Sequence, residues 1–167
     1  MIGLITVYRA RRAAVSVIAP LVESSRERLG QDFMLAAWLR PYIVGFLSML
    51  ITLIAREETG RRLSDDMLAR TQLDAWRAIT GLDDDRIGED ICLLSAAREE
   101  RFMAGCADAV RFASAYYGLH VDPPLVSDEA IDAWDVDVAG HDVDAAFRYN
   151  VRAERLWRRS FEANMRP

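Results

Sequence analysis

The stretch from Pro41 to Ala55, PYIVGFLSMLITLIA, decides the fold: it holds no charged residue, and only Tyr42, Ser48 and Thr52 bring a side chain that can hydrogen-bond. A helix apolar on every side has no face to offer water and must be buried. Pro41 suits the first helical turn, where its missing N–H costs nothing. Gly60, after Arg56, Glu57, Glu58 and Thr59, can take the left-handed conformation that closes a helix. The spacing predicts one central helix over about residues 41 to 59. Gly45, Ser48 and Thr52 fall at i, i+3 and i+7, a stripe of small residues against which another backbone could pack. Ile43, Phe46, Leu47, Leu50, Ile51 and Ile54 fill the surroundings.

The same stretch settles the membrane question at the level of sequence. Its uncharged run is 15 residues, short of the roughly 20 needed to span a bilayer. Extending it back to Phe33 places Arg40 beside Pro41 in the middle of the would-be span, at a cost of several kcal/mol. Nor does the start read as a signal peptide, because Arg9, Arg11 and Arg12 follow an apolar opening and no small-residue cleavage pattern closes Ala13 to Val22. The expectation is a cytoplasmic chain with no membrane span.

Outward from the centre, helix alternates with turn signals. Upstream, residues 2 to 29 read as helix, with Ile5, Tyr8, Val15, Ile18 and Val22 recurring at helical spacings. Pro20 should kink or divide it. Gly30 ends it, and Asp32 can cap a short turn carrying Phe33, Met34, Leu35, Trp38 and Leu39. Downstream, Ser64 reads as an N-cap with Asp65 and Asp66 in the first turn, where the helix dipole favours negative charge. The helix from Asp65 to Thr80 should bury Leu68, Ala69, Leu73, Ala75, Trp76 and Ile79, and Gly81 should stop it. Helix resumes at Ile87 and continues to Tyr117, with an irregularity near Ser95. There Phe102, Met103, Cys106, Val110, Ala113 and Tyr117 share a face, while Gly105, Ala109 and Ala113 form a second small-residue stripe that permits close crossing.

Leu119 to Val126 contains Pro123 and Pro124 and should be extended. Ser127 can cap a short helix, Asp128 to Trp134. A last helix runs from near Asp142 to about Asn164, burying Val143, Ala146, Phe147, Trp157 and Phe161. No strand alternation and no long repeat is visible. The fold class is therefore all-α: one domain over 1–167, a bundle of five to seven helices around the central one, with an acidic loop segment over 119–142 before the C-terminal helix. At 167 residues and 51% hydrophobic, the chain can bury a core of that size.

Composition removes several functions. The net charge of −5 and a pI near 5.1 supply no global field for nucleic acid or an anionic membrane. All 21 basic residues are arginine, which fits a genome rich in G and C and carries no mechanism. Cys92 and Cys106 lack CxxC spacing and a nearby histidine, so they read as two buried free thiols rather than a disulfide or zinc site. No phosphate loop, GxSxG elbow or HExxH is present. His120 and His141 are the only imidazoles, and no motif ties either to a nucleophile. Asp135 to Ala146, DVDVAGHDVDAA, matches a calcium loop at positions 1, 3 and 6. Ala139 and Ala146 then stand where positions 5 and 12 need ligands, so calcium should change nothing. No metal and no cofactor is expected.

Charge segregation is the sharper clue. From Asp122 to Asp144 there are eight acidic residues and no arginine. The sign then reverses: Arg148, Arg152, Arg155 and Arg159 stand at i, i+4, i+7 and i+11 on one helical stripe, with Arg158 at its edge. If the small-residue stripes are used up inside the monomer, association falls to this C-terminal helix. Phe147, Trp157 and Phe161 would then act as anchors, and the arginines would meet the acidic segment of a second copy. The reading is a non-catalytic helical module that forms a homodimer or binds a protein partner. The alternative is a helical enzyme or small-molecule binder whose site draws on His120, His141, Tyr116, Tyr117 and scattered arginines.

Overall fold

The computed structural model describes residues 2–60, 63–83, 86–117 and 151–167. Among them six helices form and no strand: α1 Ile2–Leu29, α2 Pro41–Thr59, α3 Asp65–Thr80, α4 Ile87–Ala96, α5 Glu100–Tyr116, and α6 over residues 151–165. The fold is an all-α bundle. Two 3-10 turns, Gly30–Asp32 and Leu35–Leu39, carry the chain from α1 into α2. None of the helices described is long and apolar enough to cross a membrane.

α2 is the axis of the bundle, as its uncharged run requires. From Tyr42 to Ala55 every residue but Met49 is buried. Pro41 occupies its first turn, and Gly60 closes it at φ 58° with its N–H on the Arg56 and Glu57 carbonyls. α5 crosses it closely through two glycines that face each other. A methyl group on Gly45 would sit 2.1 Å from the Phe102 carbonyl oxygen, and one on Gly105 would sit 2.1 Å from that of Tyr42. Each backbone thus occupies the space a side chain would need. The two small-residue stripes meet at this point. Ser48 and Thr52 instead face α3, where the Gln72 amide donates to Thr52 Oγ1 at 2.8 Å and to the Ser48 carbonyl at 3.3 Å.

Several local expectations change. Pro20 does not divide α1, which runs unbroken; the proline ring is exposed, so the Ser16 carbonyl it deprives of a donor lies on the outer side. The buried stripe of α1 is Val7, Ala10, Ala14, Ile18 and Val22, which leaves Ile5 and Tyr8 outside. Asp32 caps nothing at the second 3-10 turn, whose N-cap is Met34. On α3, Thr71 is buried and Ala69 exposed, because Thr71 satisfies its hydroxyl on the Met67 carbonyl within its own helix. On α5 the missed core residue is Phe112, while Met103 and Val110 are only half-buried. The helix expected from Ile87 to Tyr117 is two helices. Arg98, at φ 48°, turns the chain, and the Glu99 carboxylate accepts the Phe102 N–H at 2.6 Å to start α5. The loop from 119, the Asp128 to Trp134 helix, the calcium-like stretch and the acidic run to Asp144 lie outside the described residues.

Candidate interaction surface

The C-terminal helix is the place to begin, because the sequence puts the partner there. From residue 151 its inward positions are Ala153, Trp157, Ser160, Phe161, Glu162 and Met165. Three consecutive buried residues, Ser160 to Glu162, exceed what a narrow α-helical stripe presents. They are brought inward together by a π turn over Arg158–Glu162. Trp157 stacks on Phe161 with ring centroids 4.3 Å apart, and both rings pack against Phe46 at the centre of α2.

A buried polar relay fastens the same turn to α1. The Trp157 indole N–H donates to Ser25 Oγ at 2.8 Å, and the Ser25 hydroxyl lies 2.8 Å from a Glu162 carboxylate oxygen. That oxygen also receives Arg28, through Nε at 2.9 Å and the neighbouring guanidinium nitrogen at 2.5 Å. Glu162 is only 5% exposed, so its charge needs these partners.

Trp157 and Phe161 are therefore core residues, each 0% exposed, as the burial expected of the last helix requires, and neither ring is open to a partner in the monomer. An aromatic already packed on Phe46 has no surface left for a second molecule. Arg152, Arg155 and Arg159 do lie on the outer face, and Arg158 pairs with Glu154 at 2.5 Å in an exposed contact that contributes little. Phe147 and Arg148 lie outside the described residues, as do His120 and His141.

Three described titratable side chains, Tyr42, Cys106 and Tyr117, lie wholly or partly inside the bundle. Tyr42 donates its hydroxyl to Asp108 at 2.6 Å, and Arg111 holds the other Asp108 oxygen at 2.6 Å. Burial, with Asp108 beside it, raises the Tyr42 pKa, and burial raises that of Tyr117, with the neighbouring Tyr116, Glu57 and Glu58 adding to it. Burial also pushes the Cys106 thiol up to about 12. All three stay protonated at neutral pH, the form that neither attacks a carbon nor takes a proton. Cys92, expected to be buried, is exposed on α4.

Two surfaces stand out among the described residues. One is a groove of about 570 Å³ where Leu4, Val7, Tyr8 and Arg11 of α1 face Arg70 and Asp74 of α3. The other is α4. Its sequence, IGEDICLLSA, is apolar apart from two acids and one serine, yet only Ile87 is buried. Ile91 and Leu94 rest half-buried on the bundle, while Glu89, Cys92, Leu93 and Ala96, at i, i+3, i+4 and i+7, form a stripe in solvent. Leu93 is 68% exposed. Sequence reasoning missed this surface because it joined α4 to α5. The signal that could have separated them is the charged tetrad Arg98-Glu99-Glu100-Arg101 after Ala97, which breaks the apolar pattern.

No family model, curated protein or solved structure matches this chain.

Proposed function

We propose that this protein is a non-catalytic helical module that acts by associating with protein, in the first place with a second copy of itself. The observation that carries the reading is α4, an apolar ten-residue helix whose outer stripe is left exposed among the described residues. A lone exposed leucine is ordinary, but Leu93 continues through Cys92 and Ala96 as one apolar strip, the kind of surface an interface covers. Tyr42, Tyr117 and the Cys106 thiol, held protonated by burial, support a structural use of the polar chemistry. The acidic net charge argues against a nucleic-acid partner. Two cysteines kept as free thiols, one of them exposed, suit the reducing cytoplasm. Light scattering on the purified chain over a wide concentration range tests the reading: a mass rising towards twice 18.9 kDa is expected, and a mass fixed at 18.9 kDa at the highest concentration overturns self-association.

A second reading rests on the α1 and α3 groove, whose apolar floor and arginine rim fit a small amphipathic anion. An aromatic sulfonate dye should then bind saturably and lose its site on Arg70→Glu. Unsaturable binding, or binding indifferent to that change, removes the reading.

A further inference from the structure

We infer that two copies of this chain pair through α4, antiparallel, across a two-fold axis passing near Leu93. The inference rests on the self-association reading and specifies its geometry.

The outer stripe of α4 is apolar in the middle and charged at its ends. Cys92, Leu93 and Ala96 form the middle. Glu89 stands one turn before them, and Arg98 follows in the turn that ends the helix, with Arg101 in the first turn of α5. Glu89, Arg98 and Arg101 are exposed and make no ion pair among the described residues. In a parallel pair, Glu89 would lie beside Glu89 and Arg98 beside Arg98. In an antiparallel pair centred on Leu93, Glu89 of one copy comes opposite the Ala97 and Arg98 end of the other. The two-fold repeats the contact, and the helix dipoles also oppose favourably. Charge thus selects the orientation and the register.

Shape agrees with charge. Cys92 and Ala96 are small, and a methyl group added at Gly88 would meet nothing within 4 Å, so a second helix can approach along this side. Ten residues make a contact about 15 Å long, smaller than the interfaces of permanent dimers. The dimer should therefore exchange with monomer as concentration changes.

Cys92 sits beside the proposed axis and Cys106 is buried, so one thiol per chain reports on the contact. The test is sedimentation equilibrium on the full chain and on Leu93→Asp, Glu89→Arg and the double variant Glu89→Arg with Arg98→Glu. It is combined with cross-linking by a bis-maleimide of two-carbon spacer. The pairing predicts at least about tenfold weaker association for Leu93→Asp and for Glu89→Arg, recovery in the double variant, and a covalent dimer that Cys92→Ser abolishes. Melting temperatures taken at concentrations too low for pairing should stay at the parent value, because these side chains lie outside the core; that separates lost pairing from lost folding. A dimer that survives Leu93→Asp, is not restored by the double variant, or fails to cross-link at Cys92 overturns the α4 pairing and leaves self-association standing. A chain monomeric throughout overturns both.

Discussion

α2 and α4 are built from similar material, runs of Ile, Leu and small residues, and they end in opposite surroundings. α2 is enclosed because long helices reach it from several sides: α1 and α3, α5 through the paired glycines, and α6 with Trp157 and Phe161. α4 is short and follows the Gly81 turn at φ 74°. Among the described residues its apolar contacts with the bundle come from Ile87, Ile91 and Leu94. Apolar composition therefore states a demand for cover, and the chain's own neighbours decide whether it is met. Among the described residues the outer stripe of α4 goes uncovered, and the proposed second copy would supply that cover.

The hardest way to break the contrast is to place the same charge in both helices. Leu50→Asp in α2 puts a carboxylate at a fully buried position with no basic partner. It should cost about 5 kcal/mol or more, comparable to the whole stability of a domain. Thermal melts should show no cooperative transition; a parent-like melt would mean α2 is not the centre.

Gly105→Ala comes next. The added methyl would stand 2.1 Å from the Tyr42 carbonyl oxygen, a backbone atom that cannot swing aside, so α2 and α5 must separate. A loss of about 3 kcal/mol in urea titration is expected, at the upper end for overpacking. A loss under about 1 kcal/mol would show that the crossing is looser than the structure has it.

The two cysteines sharpen the comparison. Cys106 packs on α2, with its thiol near the Gly45 carbonyl at 3.5 Å, and burial raises its pKa from 9.0 to about 12. A thiol that is harder to ionise when folded contributes stability that is whole below pH 9 and is lost as pH climbs towards 12. The melting temperature should accordingly fall above pH 9, with roughly 2 kcal/mol gone by about pH 10.5. The raised Tyr42 and Tyr117 values act in the same direction. At pH 8 a thiol reagent should modify Cys92 at once and Cys106 only on unfolding. Equal rates for both would place Cys106 in solvent.

The smallest effect belongs to Leu93→Asp on folding. Surface substitutions stay within about 0.5 kcal/mol, so its melt should match the parent at concentrations too low for pairing. A large loss of stability would mean α4 is covered within the monomer.

Much of the fold was legible because the signals were local and strong. The Pro41 and Gly60 boundaries, the Ser64 cap on the Met67 N–H and the Gly81 stop all follow from backbone chemistry within a few residues. The face of α1 was misjudged for a different reason. Ala10 and Ala14 count for little by hydrophobicity, yet a crossing helix needs them, so the larger Ile5 and Tyr8 drew the stripe to the wrong side. The interaction surface was least legible. Trp157 and Phe161 look like anchors until Phe46 is seen against them, and Leu93 looks like core until α5 is seen to start afresh after it. Both judgements depend on which distant residues arrive nearby, and periodicity carries no record of that.

The relay that holds α6 in place has a consequence for how the molecule is made. Trp157 follows the end of α2 by about a hundred residues. At about 5–20 residues per second, synthesis needs about 5–20 s to cover that gap. Late in that interval α1, α2, α3 and α5 can already meet, but Phe46 lacks the two rings that seal it, and Ser25 and Arg28 wait for their carboxylate. The newborn chain is thus a bundle with an open seam. A ribosome-stalled chain cut short of Trp157 should be cleaved by protease at sites that the released protein protects.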